Sequence, residues 1–309
     1  MSKIEINTNI NLETLTMSSN NMIGQIIKKI LVPIDFSPAS VVALDYAVAI
    51  AKVLGSQITV YHSFTPMADV SLASGNITVE IETEKLMRQF SRQAQSIIAP
   101  YQSISYENKS KFLDIDTLIK VGYIVNDIEE LTTTSYDLVV LGTKGVSGID
   151  EVIFGTVAGS VADSAKCPVL IVPAKAVFKG INHIVYATEL NQYDTVVIDE
   201  LLEFATAFKA SMVCLHINTK PDMIVEELDE MTELQEKYWF TPISQLRFEL
   251  VSGESVLKEL HQYIDEKDPD IMTVLRQNRS FIENLFHKSI SQKMAFHSKV
   301  PVFILQNKN

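Results

Sequence analysis

Apolar residues follow two alternating rhythms along this chain: short near-continuous runs, and longer stretches in which they recur every three or four positions. The first run is Lys29-Ile30-Leu31-Val32-Pro33-Ile34, followed by Asp35-Phe36-Ser37-Pro38. A serine hydroxyl followed by a proline marks a helix start, because the hydroxyl caps a free amide and proline has no amide to leave unpaired. Val41, Leu44, Val48, Ala51 and Leu54 then keep helical spacing up to a stop at Gly55. Ile58–His62 reads as a second strand, about 79–99 as a helix, and a stretch within about 112–121 as a strand ending at Gly122. Ile124–Leu131 suits a short helix, Leu138–Leu141 a buried strand, Thr156–Ala165 a helix and Val169–Val172 a last strand before Pro173. Strands that are apolar on both sides, alternating with helices, predict a doubly wound α/β sheet.

The pattern then starts again. Asn182–Glu189 overlays the first strand at an offset of 154, which places Glu189 under Asp35 and His216 under His62. Gly253 falls under Gly122 at an offset of 131, and Asp270-Ile271-Met272 falls under Asp137-Leu138-Val139 at 133. Val300–Leu305 repeats Cys167–Val172. Five strands and four helices recur in order, so the chain is an internal duplication. The expected fold is two tandem doubly wound domains, each a five-stranded, mostly parallel sheet flanked by helices. They are placed at residues 25–174 and 181–309, after a polar, flexible tail over 1–24. The drop in offset leaves 23 more residues between the second and third strands of the first half, roughly Thr65 to Ile115. That excess is expected to wrap over a domain edge or the binding cleft.

Composition narrows the function. The 309 residues carry a net charge of −12, divided −5 and −7 between residues 1–176 and 177–309. An acidic chain without a basic run repels a polyphosphate duplex, which argues against nucleic acid as a partner. The first residues have no apolar core of a secretory signal, and no stretch reaches the ~20 apolar residues of a membrane span. A cytoplasmic protein with no membrane partner is expected. The two cysteines, Cys167 and Cys214, lie in apolar strands and read as buried free thiols.

The candidate chemistry follows the fourth strand. Gly142-Thr143-Lys144-Gly145 is separated by nine residues from Gly155-Thr156. In open α/β sheets ligands bind beyond the carboxyl ends of the strands, where strand order reverses. Glycines there let backbone amides approach phosphate oxygens, and Gly155-Thr156 opens a helix whose amino end favours an anion. Asp35, at the carboxyl end of the first strand, faces the same crevice. A bulky residue at Gly142 or Gly155 is therefore expected to abolish binding while leaving the fold largely intact.

With these residues the chain resembles the universal stress protein family. Its ATP-binding subset carries glycine, two residues, glycine, nine residues, glycine, then serine or threonine. The family's opening Pro-x-Asp-x-Ser is matched by Pro33, Asp35 and Ser37, and its closing Cys-Pro-Val-Leu by Cys167 to Leu170. The resemblance covers about residues 27–305. It implies an ATP site lined by Asp35, Ser63, Leu141, Gly142, Gly145, Gly155, Thr156 and Val157, with Mg²⁺ accompanying the triphosphate. Ser63 and Leu141 would lie near adenine and ribose, and the rest would hold phosphates. Lys144, between the glycines, is placed to add a positive charge.

The second half departs from the pattern. Leu275-Arg276-Gln277-Asn278 stands where Gly142–Gly145 stands, Lys288-Ser289 replaces Gly155-Thr156, and Glu189 replaces Asp35. Nucleotide is expected in the first half only. Arg276, Arg279 and Lys288 read either as a solvated basic face or as a site for another anion. The acidic run from Asp222 to Glu236 reads as a solvated helix face, the lone Trp239 as a packing residue, and His62 and His216 as packed residues rather than metal ligands. The leading reading is a non-enzymatic ATP-binding stress-response protein with a regulatory protein partner, its halves forming an intramolecular pseudo-dimer open to further homo-oligomerisation. The alternatives are a slow ATPase or nucleotide-transfer enzyme, and a nucleotide-free scaffold. Against catalysis beyond slow ATP hydrolysis stands the lack of a base or arginine finger to position water.

Overall fold

The computed structural model describes residues 27–65, 77–107, 111–143, 156–242, 244–276 and 299–306. The expected tail, the loop residues Lys144, Gly145 and Gly155, and Gln277, Asn278, Arg279, Lys288 and Ser289 of the second half lie outside the described residues.

The first half contributes strands β1 (Lys29–Pro33), β2 (Gln57–Phe64), β3 (Ile115–Val121), β4 (Leu138–Gly142) and β5 (Val169–Val172). Its helices are α1 (Pro38–Leu54), α2 (Ile77–Ile98), α3 (Ile124–Thr134) and α4 (Thr156–Ser164). The second half contributes β6 (His183–Thr188), β7 (Ser211–Asn218), β8 (Leu246–Ser252), β9 (Ile271–Arg276) and β10 (Val302–Gln306). Helices α5 (Asp194–Phe208), α6 (Ile224–Glu236) and α7 (Val256–Lys267) belong to it.

All ten strands form one sheet in the order β3-β2-β1-β4-β5-β10-β9-β6-β7-β8. Read from either edge inward, the order is the same, so the two copies are related as by a two-fold axis. Every pairing within a half is parallel, and the seam between halves is antiparallel: Val302 lies opposite Ile171, Phe303 opposite Leu170 and Ile304 opposite Val169. A short linker suffices for this topology, since β5 ends at the sheet edge from which β6 starts. The two strands are three spacings apart, about 14 Å. Ala174–Gly180 can span about 20 Å. On its way the linker packs Phe178 edge-on against Tyr46 of α1, with ring centroids 5.1 Å apart.

Side chains alternate along each strand between two cores, one on each face. Ile30, Val32, Val60 and Val140 face α1, with Ile184, Cys214 and Phe303 on the same side facing α5. Leu31, Val139, Leu141 and Ile171 face α3 and α4, with Val185, Leu215 and Ile304 facing α7. Both cores run unbroken across the seam, which is why the strands nearest it, such as β4, β5 and β10, are apolar on nearly every residue rather than every second one.

Local chemistry sets the ends of the elements. Ser37 caps α1, its hydroxyl accepting from Ser40 N at 3.3 Å, and Gly55 closes it in the left-handed region at φ 76°. Several hydrogen bonds recur in both copies. Asp137 accepts from the amides of Lys28 and Lys29, as Asp270 does from Asn182 and His183. His62 Nδ1 meets Ile34 O at 2.8 Å, and His216 Nδ1 meets Thr188 O at 3.0 Å. Tyr101 donates to Asp45 and Tyr238 to Asp199.

The longer connection of the first half carries α2, the counterpart of α6. It runs along the edge strand β3, where Gln95 Nε2 donates to Thr117 Oγ1 at 3.3 Å, and it delivers Phe90 to the end of β2. Trp239 corrects the sequence reading. It lies just past the end of α6 and is 71% exposed, its ring tilted against that of the still more exposed Phe240 at 3.7 Å between centroids. The helix before it turns just Met231 and Leu234 fully into the protein, so its last turn has no apolar bed for an indole.

Candidate functional site

A cleft of about 390 Å³ opens at the carboxyl ends of β1, β2 and β4, within the size range of small-ligand sites. It lies where the order turns, since β2 flanks β1 on one side and β4 on the other. Five of the nine expected site residues, Asp35, Ser63, Leu141, Gly142 and Val157, line this one cleft. Thr156 is the first residue of α4, next to Val157 at the cleft. Lys144, Gly145 and Gly155 belong to the loop outside the described residues.

The backbone aims these groups. Phe36 sits at φ 64°, and its counterpart Leu190 at φ 50°, a left-handed conformation that costs a non-glycine residue energy and recurs at functional turns. The turn leaves Asp35 at the mouth of the cleft, where its Oδ1 accepts from Ser37 N at 3.0 Å. It sends Phe36 back against His62 (4.7 Å between centroids) and Phe90 (5.8 Å, stacked). Phe90 also contacts His62 and Phe64, at 4.5 and 5.0 Å. An aromatic wall thus backs the β2 side of the cleft, with Phe90 of α2 packed on His62 where Glu227 of α6 meets His216 in the second half.

Gly142 has a further reason, set by packing. A Cβ there would collide with the backbone of α1: the Ala39 carbonyl carbon would stand 2.6 Å away and Ser40 N 3.1 Å away. The glycine lets β4 seat directly on the first turn of α1. A bulky residue would therefore strain the fold itself, which corrects the expectation that Gly142 could be replaced with the fold largely intact.

Two polar atoms to which the sequence reading gave no role in binding also lie here. Thr143 is fully buried, and its Oγ1 has no hydrogen-bond partner among the described residues; the same is true of His62 Nε2. A buried donor or acceptor without a partner costs about 1–3 kcal/mol, so a polar ligand in this cleft has groups to satisfy. Thr143 was visible as one of the two residues between Gly142 and Gly145. His62 was read as a packed residue, and its unpartnered Nε2 could not be seen from the sequence.

The corresponding corner of the second half is built differently. Glu227 reaches from α6 to His216 Nε2 at 2.9 Å and to Asn218 Nδ2 at 2.5 Å. Burial alone would raise the Glu227 carboxyl, but the hydrogen bonds from Asn218 and His216 outweigh it and hold it below its ordinary range. Asp194 replaces Ser40 and is fully buried, accepting from Tyr186 Oη and Asn191 N. Leu275 stands at the place of Gly142 and is buried. Arg276 does not form a solvated face and is committed elsewhere: its Nη1 donates to the carbonyls of Ala162 and Asp163 in the first half.

Among the described residues no group of three His, Cys, Asp or Glu converges on a metal position, and no helix is long and apolar enough to cross a membrane.

Comparison with known proteins agrees with this architecture. The model of the universal stress protein family matches residues 27–173. A universal stress protein of Methanocaldococcus jannaschii is 30% identical over 146 residues, 47% of this chain and 81% of that protein. Another, from Bacillus subtilis, is 27% identical over 147 residues, 47% of this chain and 97% of that protein. Among solved structures, a universal stress protein from Archaeoglobus fulgidus superposes with a TM-score of 0.64 at 15% identity, covering 90% of this chain and 98% of that one. A functionally unknown protein from Pseudomonas aeruginosa gives 0.55 at 14% identity, covering 92% and 94%. The curated relatives match about half of this chain, whereas the likeness in fold spans both halves.

Proposed function

This chain belongs to the universal stress protein family, and from that premise we propose that it is an ATP-binding regulatory protein of the stress response. Nucleotide is held by the domain over residues 25–174, and the domain over 181–309 is a degenerate copy without a phosphate loop. The observation that carries this reading is the convergence of Asp35, Ser63, Leu141, Gly142 and Val157 on one cleft at the turn in strand order, with the amino end of α4 beside it. The first amides of a helix have no partner within it and point toward an incoming anion.

Ser63 and Leu141 take the adenine and ribose side. Thr156, Gly145 and Gly155 take the phosphates, and Lys144 adds charge. Asp35 is the one expected site carboxylate and would be the protein contact of a Mg²⁺ that arrives with the phosphates, in keeping with how this ion binds in nucleotide sites. Thr143 Oγ1 and His62 Nε2 are further groups for the ligand to satisfy.

First-half binding is supported by the second half's own chemistry. Glu227 takes up the groups that correspond to His62 and Phe64, and a leucine side chain stands in place of Gly142. Isothermal titration of the full chain with Mg·ATP is expected to give one site per chain. Two equivalent sites would overturn the account of the second half, and no uptake would overturn the nucleotide reading. Phosphate release followed over hours on the same sample is expected to stay far below one turnover per minute. Brisk hydrolysis would move the protein to the enzymes.

A further inference from the structure

Arg276 ends β9 at the place that Thr143 holds in the first half. Because β10 runs antiparallel to β5, the carboxyl ends of the second half's strands meet the amino end of β5 and, beside it, the carboxyl end of α4. There Arg276 Nη1 donates to Ala162 O at 2.9 Å and to Asp163 O at 2.5 Å, and Gln306 Nε2 donates to Ala162 O at 3.3 Å. The last carbonyls of a helix have no partner within it, and a cation there opposes the negative end of the helix dipole. Helix α4 has nine residues, short of the ~12–15 at which an isolated helix holds. Its order depends on the core under Ala158, Val161 and Ala162 and on what holds its ends.

We infer that Arg276 is a positioning residue for the nucleotide site of the other half. By holding the carboxyl end of α4, it sets the first turn of the same helix, against which the phosphates lie. The inference rests on the nucleotide reading above. An anion at one end and a guanidinium at the other act on one equilibrium between an ordered and a loosened α4. A site that is competent for only a fraction of the time binds more weakly by that fraction. The coupling is reciprocal: nucleotide tightens α4 on Arg276, so occupancy of the first half is felt at β9 and β10 of the second. The half without a phosphate loop therefore still governs how well the other half's loop works.

The test uses the full chain as the parent, R276A and R276K. Each is titrated with Mg·ATP and with adenosine, which has no phosphates to place on α4, and amide exchange across residues 156–165 is followed without nucleotide. R276A is expected to weaken Mg·ATP about three- to tenfold at unchanged stoichiometry. It should leave adenosine within about twofold of the parent and speed exchange across α4. R276K should recover a good part of the loss, since an ammonium also donates to carbonyls. Equal weakening of Mg·ATP and adenosine would mean a general loss of stability and would overturn the positioning role. So would an R276A that binds Mg·ATP like the parent. Should R276A fail to fold, Gln306→Ala removes the weaker bond to Ala162, and the same split between Mg·ATP and adenosine must appear. A parent that takes up no nucleotide overturns the function proposed above and this inference with it. A parent that binds, matched by R276A, overturns the inference alone.

Discussion

Gly142 is a residue whose identity was readable and whose reason was not. In the sequence it belongs to a spaced glycine motif; in the fold it is also the point where β4 touches the backbone of α1. Gly142→Ala forces a carbon against the Ala39 carbonyl, and such overpacking costs about 1–3 kcal/mol. At about 2–4 °C per kcal/mol for domains of this size, the thermal midpoint should fall by several degrees even without nucleotide. A variant that melts with the parent would show that α1 is not seated there. The cysteines are the simpler case. Burial, helped by the nearby Asp137, pushes the Cys167 thiol up to about 12, and burial with Asp194 pushes Cys214 well above its ordinary value. The thiolate is the reactive form. A thiol reagent at about pH 8 should therefore find neither residue until denaturant is added, when both should react; rapid reaction of the native protein would contradict their burial.

At the scale of elements, one difference between the two copies lies where β7 meets α6. Glu227, gripped by His216 and Asn218, has its carboxyl held below the ordinary value of 4.5. A carboxyl with a lowered folded-state value stabilises the protein fully above the unfolded value and loses that contribution as pH falls through the folded one. The stability due to this contact is thus intact at neutral pH and disappears below about pH 4.5. Partial solvent access keeps it modest. In urea melts, the parent should lose more stability than Glu227→Gln on going from about pH 6 to about pH 3. Equal losses would place the pH-sensitive groups elsewhere. The carboxylate's sequence context, an acidic run on a helix, pointed to a solvated face. It concealed the one member of the run that turns inward, because helical spacing shows which residues share a face and not what that face meets.

For the molecule as a whole, the decisive contact is the antiparallel seam of β5 with β10. Residues Val169–Val172 are buried throughout, and without β10 they form an apolar edge with unpaired backbone, which invites pairing with another chain. Residues 1–176 expressed alone should therefore dimerise or aggregate while still binding ATP. Light scattering at micromolar concentration checks this, and a well-behaved monomer would argue against the second half as a cover for that edge.

By itself the sequence determined the alternation of strands and helices, the duplication and the position of the cleft. Those features depend on local chemistry: continuous apolar runs for strands buried on both faces, a serine and proline to start α1, glycines at a strand end. The tertiary structure decided what depends on residues far apart along the chain. Arg276 reaches Ala162 across 114 positions, Phe90 closes on His62 from a helix in the longer connection, and Trp239 is left exposed past the end of α6. Spacing along one chain can tell a residue which way it faces. Only the path of the rest of the chain supplies the partner it finds there.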